Sequence, residues 1–462
     1  MDPIIQKRYK RLSSTSVCRR VAPTNLEWEL QHFQSKQWVK SRRRPPEIPI
    51  CFAGHWGCVS IAVLSVAEPL MNVNSFSIAG LPRIEFGSGS LKKLPDIAVG
   101  YGRRLLLVTG ARSFLASAHA TLLFEALRQR GCSWEIVKIA VEPAPTFIDA
   151  TVSALQGKAF DAVIGIGGGS ALDAAKAIAG MLKPGNSVMD HLDGVGPELP
   201  YAGPSTPLIA VPTTAGTGSE ATKNAVLSLA GQFKKSFRDE KLVAEWAIVD
   251  PDLIASCPPL LIAADGMDAF TQLLESFVSA RSNPMTDALA RSGIMAAKDA
   301  LLPLHADQAA ASREKMAYAS LMSGICLAQT GLGSVHGLAA PLGAFFPIAH
   351  GVACGTLVAT ATAINIEAME TREPDNPALR KYAEIGRRFA MQKGLDGADA
   401  RSYLVATLQQ WERTLAIPRL STCRVTSADF PRIVANSRGS SMKTNPIVLT
   451  DEEVTRILAE RL

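Results

Sequence analysis

The stretch Asp161 to Lys176, DAVIGIGGGSALDAAK, restricts the architecture more than any other. Ala162-Val163-Ile164 has the apolar character of a buried strand, Gly165, Gly167, Gly168 and Gly169 predict a turn, and Ala171 to Ala179 predicts a helix. A chain that turns through glycines into a helix presents first-turn N–H groups that have no intrahelical partner, and no Cβ keeps a ligand away from them. Such a site favours a phosphate or pyrophosphate. Ser170 is expected to cap the helix, with Asp173 as the acidic partner of a capping box. A tight turn without a ligand is the alternative, and a glycine triplet followed by Ser weighs against it.

The flanking sequence predicts what surrounds this turn. Strand character recurs within Phe76–Phe86, at Leu105–Thr109 and at Trp134–Val141, with helical stretches at Leu122–Arg128 and Asp149–Gln156 between them. The order β-α-β-α-β-α implies a parallel sheet with helices on both faces and ligand sites at the strand C-termini. Leu208–Val211 is the next strand and runs into PTTAGTGSE, where Thr213, Thr214 and Thr217 make a polar loop able to wrap a ribose or an amide. Phe233–Arg238 reads as a basic loop or strand edge in which Lys235 is a candidate cofactor contact. Ala247–Asp250 is a last strand, and Pro251 marks the expected boundary.

The expected organisation is an appended segment at 1–70, an α/β dinucleotide-binding domain at 71–253 and an all-helical domain at 254–462. The first 70 residues hold 11 Lys and Arg against 5 Asp and Glu, whereas the remainder holds 37 of each. A balanced body gives no reason to expect nucleic-acid binding, which needs a clustered basic face. Within 1–70, Ile48–Ala67 is long enough to span a membrane but contains Gly54, His55 and Gly57, so no membrane partner is expected. An upstream extension with Met71 as the working start is favoured over an organellar presequence, which gives a cytoplasmic location with a mitochondrial alternative. The eight cysteines show no Cys-x-x-Cys pair or zinc-finger spacing and read as reduced thiols.

In the helical half, Asp268 and Gln272 stand four apart on one helix face, and Glu275 lies near the same stripe. His336 and His350 are each followed by glycine, which permits close backbone packing. Two imidazoles and two oxygens suit iron or zinc, although histidines in apolar helices are more often satisfied core residues, and spacing alone leaves the matter even.

GIGGGSALDAAKAIAG, VPTTAGTGSE, ADGMDAFTQLLE and GLGSVHGLAAPLGAFFPIAHG, taken together in this order and spacing, resemble the iron-containing alcohol dehydrogenase family from about Phe76 to the C-terminus. The resemblance implies a dehydroquinate-synthase-like fold: a dinucleotide-binding α/β domain, then an all-α metal-binding domain, with the active site between them. It implies that Gly167, Gly168, Gly169, Ser170 and Asp173 lie on the pyrophosphate side of NAD or NADP, Thr213, Thr214 and Thr217 on the other wall, and Lys235 beside the cofactor. It further implies a divalent metal, Fe2+ first and Zn2+ second, at Asp268, Gln272, His336 and His350. Asp268, His336 and His350 would be catalytic through that metal. The implied activity is hydride transfer between a small alcohol or aldehyde and the nicotinamide, in a homodimer or larger assembly.

Three departures qualify the match. Gln272 stands where the family usually has histidine, and an amide oxygen is a weaker donor to a borderline metal. Ala340 replaces a histidine found near the substrate in many members. Gly110 follows Thr109 where NAD-preferring members often have an acidic residue, so a 2′-phosphate is not repelled, and Arg112 with Ser113 could receive it. Phe270, Phe345 and Phe346 are candidates for an apolar pocket wall, though such aromatics are more often core. A lyase or cyclase of the dehydroquinate-synthase kind and a cofactor-binding protein without metal chemistry are the alternatives.

Overall fold

Eight strands and thirteen α-helices follow the alternation expected up to Val249 and are purely helical after it, in a computed structural model that describes residues 75–462. The 1–70 segment, with its membrane and presequence readings, lies outside the described residues. In the first half come β1 (Arg83–Phe86), α1 (Leu94–Val99), β2 (Arg104–Gly110), α2 (Ala118–Gln129), β3 (Ser133–Ile139), α3 (Pro145–Ala154), β4 (Ala162–Gly167), α4 (Gly169–Met181) and β5 (Leu208–Pro212). The hairpin β6 (Asn224–Leu229) and β7 (Phe233–Arg238) and the last strand β8 (Trp246–Val249) complete it.

Six strands form one parallel sheet in the order β1-β8-β5-β4-β2-β3. Both faces are covered, and the strand sequences record it. Leu105 and Leu107 pack with Leu94, Leu123 and Leu127 on one face, while Leu106 and Val108 pack with Ile148 and the α4 alanines on the other. An uninterrupted apolar run is what a strand buried on both sides requires. The chain leaves β2 toward β3 and returns across it to β4, so a crevice opens between the C-terminal ends of β2 and β4.

Two expectations about the turn are corrected. Gly165 and Gly167 belong to β4 rather than to the turn. A Cβ at Gly165 would lie 2.7 Å from that of Ala175, and one at Gly167 would lie 2.6 Å from that of Ala171, so these glycines let α4 settle directly on the sheet. Nor does Ser170 cap the helix. Gly168 is the N-cap with no side-chain bond, and α4 starts at Gly169, two residues earlier than a Ser170 cap would place it.

The second half comprises α5 (Pro259–Val278), α6 (Pro284–Asp307), α7 (Ala310–Thr330), α8 (Ser334–Phe345), α9 (His350–Arg372), α10 (Pro377–Ala390), α11 (Gly397–Thr414), α12 (Phe430–Asn436) and α13 (Asp451–Glu460). The middle of α5 is buried almost all round, because α6, α7 and α9 pack against it. By composition α9 could cross a membrane, but 83% of its most apolar window is buried inside the protein, as befits a core helix. At Gly218 and Gly324 the loop after β5 meets α7 main chain to main chain. Gly218 has φ +59°, and a Cβ there would lie 2.5 Å from Gly324 Cα, while one at Gly324 would lie 2.7 Å from the Gly218 carbonyl carbon.

Candidate active site

The C-terminal ends of β2, β3, β4 and β5 open into a cleft of about 1000 Å³ whose opposite wall comes from α5, α8 and the start of α9. All nine expected cofactor residues line it: Gly167, Gly168, Gly169, Ser170, Asp173, Thr213, Thr214, Thr217 and Lys235. The glycine turn and the threonine loop touch. The Thr213 N–H donates to the Gly167 carbonyl at 3.0 Å, and a Cβ at Gly169 would meet Thr217 Cγ2 at 2.8 Å. Since no side chain caps α4, its first N–H groups stay available at the floor of the cleft.

Behind the turn lies a residue that the sequence reading passed over. Lys176 is fully buried, and its ammonium donates to Ser219 Oγ at 2.7 Å, Thr222 Oγ1 at 2.8 Å and the Asn224 carbonyl at 2.7 Å. Asp173 stands 3.6 Å from the same nitrogen and accepts from Ser219 Oγ at 2.6 Å. The Lys176–Asp173 pair therefore fastens the helix of the glycine turn to the hydroxyl loop and to β6. Burial pulls the Lys176 pKa down, against the opposing charges of Asp173 and Glu220. A lysine three residues after an aspartate in an otherwise apolar helix was the available signal.

At the far end of the crevice Gly110 and Ser113 line the cleft, whereas Arg112 is exposed and is not among the lining residues. Lys235 reaches the cleft from β7, and so does its neighbour Lys234, which is 2.5 Å from Glu142 Oε1. Burial favours the neutral form of Glu142, but Lys234 and Ser228 outweigh it and hold the carboxyl below its ordinary range.

Asp268, Gln272, His336 and His350 all line the same cleft. Asp268 and Gln272 come from successive turns of α5, His336 from the first turn of α8, and His350 is the first residue of α9. His336 Nε2 lies 3.2 Å and His350 Nε2 3.8 Å from Asp268 Oδ1. The glycines after the histidines make this approach feasible. A Cβ at Gly351 would lie 2.6 Å from the Ala264 carbonyl carbon on α5, and one at Gly337 would lie 3.0 Å from the Ser437 carbonyl oxygen. Glu275 sets the His336 ring: its Oε2 is 2.7 Å from Nδ1, while its Oε1 accepts the Val335 N–H at 2.7 Å. With Glu275 at Nδ1, the ring is turned so that Nε2 faces the other donors, the arrangement of a carboxylate–histidine–metal triad. Despite burial, Cys354, Asp268 and Glu275 push the His336 pKa well above its ordinary value, so a bound cation would displace a proton from Nε2.

The charges conform to a cation site. Burial would raise the Asp268 pKa, but His350 and His336 hold it below its ordinary value. Burial also lowers His350, to about 4, against the pull of Asp268. A buried carboxylate and two imidazoles converging on one point suit a divalent ion. Cys354, four residues after His350 on α9, joins Asp268, His336 and His350 in a group of donors that all lie within 4.8 Å of one another. Sequence reading missed this thiol because it searched for Cys-x-x-Cys pairs. The signal was its spacing from His350, which places both on one helix face.

Of the aromatic candidates, Phe345 lines the cleft, with the Arg432 guanidinium 3.7 Å over its ring. Phe270 does not. It is fully buried against Phe389 and Trp411, on the face of α5 away from the cleft. Phe346 packs against the helical core.

Comparison with known proteins agrees with this geometry. Residues 82–251 match the model of the iron-containing alcohol dehydrogenase family, and residues 262–462 match the C-terminal model of the Fe-containing alcohol dehydrogenase family. Alcohol dehydrogenase 4 of Saccharomyces cerevisiae (strain YJM789) is 31% identical over 81% of this chain and 95% of its own length. The NAD-dependent methanol dehydrogenase of Bacillus methanolicus is 30% identical over 82% of this chain and 98% of its own. Among solved structures, a 1,3-propanediol oxidoreductase superposes with a TM-score of 0.77 at 26% identity, covering 84% of this chain and all of the other.

Proposed function

The chain belongs to the iron-containing alcohol dehydrogenase family and is a metal-dependent alcohol/aldehyde oxidoreductase, and from that premise we propose a division of labour along the cleft. Gly167, Gly168, Gly169 and Ser170 receive the pyrophosphate of NAD or NADP on the free N–H groups of α4. Asp173 borders the pyrophosphate side, Thr213, Thr214 and Thr217 hold the other wall, and Lys235 stands beside the cofactor. Asp268, His336 and His350, with Gln272 beside them, hold a divalent cation, iron or zinc. When bound, the cation supplies Lewis-acid polarisation of a substrate oxygen and the nicotinamide supplies or accepts the hydride.

The protein's own contribution is alignment. Glu275 keeps a proton on His336 Nδ1 and so directs Nε2 into the site. The Lys176 anchor keeps the glycine turn and the hydroxyl loop in register. Ala340 puts a methyl group on the wall four residues after His336, so no imidazole at that position relays a proton and exchange runs through solvent. Gly110 carries no carboxylate against a 2′-phosphate, which supports use of NADP as well as NAD. Self-association is the accompanying reading, supported by β1 at the sheet edge. A cytoplasmic location, with a mitochondrial one as the alternative, is the accompanying reading of the free thiols of the five described cysteines.

The convergence of the Asp268, His336 and His350 donors in the cleft floored by the glycine turn carries this reading. The test is chelation followed by resupply of Fe2+ or Zn2+, with nicotinamide absorbance followed for NADH and NADPH against a panel of alcohols and aldehydes. Turnover that returns with the metal is expected. Cofactor binding without turnover under any metal, or turnover indifferent to chelation, refutes it.

A further inference from the structure

Gln272 is the weak member of the four-residue set, and the structure offers a stronger donor beside it. Cys354 Sγ lies 3.6 Å from His336 Nε2 and 3.9 Å from His350 Nε2, and the Asp268 donor completes the group within 4.8 Å. Around a tetrahedral cation with bonds of about 2.0–2.1 Å to N or O and about 2.3 Å to S, donor pairs stand roughly 3.3 Å apart without sulfur and roughly 3.6 Å apart with it. Four of the six donor pairs, at 3.2, 3.8, 3.6 and 3.9 Å, reach that figure with adjustments of up to about half an ångström, and the other two lie within 4.8 Å. The Gln272 amide oxygen is otherwise engaged, 2.7 Å from Ser323 Oγ. Rotating that amide would free its oxygen, which is the rival arrangement.

We propose that the metal centre of this chain is Asp268–His336–His350–Cys354, with the Cys354 thiolate in the role that Gln272 fills poorly. The inference rests on the metal reading given under the proposed function. On binding, the thiol S–H bond is replaced by a sulfur–metal bond and the proton passes to solvent, so no oxidant or reductant takes part. A thiolate donor shifts the preference from Fe2+ toward Zn2+, the softer-ligand metal of the two.

Cobalt is the probe. The chelated protein is loaded with Co2+, and the near-ultraviolet thiolate-to-cobalt charge-transfer band is recorded for the wild type, Cys354→Ser, Cys354→Ala and Gln272→Ala. Zn2+ affinity is measured in parallel by chelator competition, and the fold of each metal-free variant is checked by circular dichroism. The wild type and Gln272→Ala are expected to show the band. Both Cys354 variants are expected to lose it, and Cys354→Ala to lose more Zn2+ affinity than the about 10–100-fold that removal of an outer partner costs. A wild type that binds Co2+ without the band, together with loss of binding in Gln272→Ala, overturns this proposal and leaves the metal reading standing. A wild type that binds neither Co2+ nor Zn2+ overturns both. If the serine and alanine variants misfold, sulfur scattering in the X-ray absorption spectrum of zinc-loaded wild type decides: its presence supports the proposal and its absence refutes it.

Discussion

Substituting alanine for Gly351 adds one methyl group at the point where α9 crosses α5. The new carbon would lie 2.6 Å from the Ala264 carbonyl carbon, and closer still to its oxygen. Comfortable carbon–carbon contacts are about 3.5 Å or more, so the helices must separate by roughly 0.9 Å, and both obstacles are main chain. His350 is the adjacent residue, and Asp268 stands one turn along α5 from Ala264, so the displacement falls almost entirely on the His350–Asp268 separation of 3.8 Å. Metal–ligand distances tolerate only about 0.2 Å. The expected result is a loss of metal affinity of at least about tenfold and a fall in turnover approaching about 100-fold. Overpacking adds a stability cost of about 1–3 kcal/mol. Chelator competition with Zn2+ measures the first effect and urea unfolding of the metal-free protein the last. Gly394→Ala is the control, because nothing lies within 4 Å of its added carbon. A folded Gly351→Ala protein with wild-type metal affinity would refute the argument that this glycine sets the ligand geometry.

Lys176→Met should destabilise the protein by about 3 kcal/mol, read as a lower urea midpoint, and weaken nicotinamide binding, because Asp173, Ser219 and Thr222 lose a buried partner; an unchanged midpoint would count against the anchor. Gly110→Asp has room for its side chain, with nothing within 4 Å of the added Cβ. It should raise KM for NADPH at least about tenfold while leaving that for NADH nearly unaltered, and equal effects on both would show that the 110 position does not face the ribose. Glu412 has its carboxyl pushed up to about 7 by burial, despite Arg461 nearby. A raised folded pKa means the native state holds the extra proton, so stability falls as pH rises from about 4.5 to about 7, by up to about 3 kcal/mol at roughly 1.4 kcal/mol per unit. Glu412→Gln should flatten that part of a thermal-melting profile, and an unaltered slope would remove Glu412 as its source.

The sheet was legible because strands buried on both faces, such as Leu105–Val108, leave unbroken apolar runs, and because glycine clusters punctuate them. Both walls of the cleft were legible through residue type and spacing. What escaped reading depends on which atoms meet across the fold. Gly165 and Gly167 read as turn residues because nothing in one chain segment reveals that Ala175 and Ala171 press against them. Ser170 has a capping residue's chemistry but sits inside the first turn. Cys354 and Lys176 sit among small and apolar residues, where periodicity records only the dominant pattern, and decisive partners such as His336 and Thr222 lie on other elements. Phe270 shares α5 with five cleft residues, Leu261, Ala264, Asp265, Asp268 and Gln272, but helical phase turns it to the opposite side.

The joint between Gly218 and Gly324 has a consequence for how this enzyme can diversify. Each partner is already the smallest residue there is, so a change at one has no compensating change available at the other. The threonine loop that lines the cleft is thereby bolted to α7 in a position that substitution cannot trim. Drift toward new substrates is confined to places where side chains, not backbone, form the wall, such as Ala340 and Phe345.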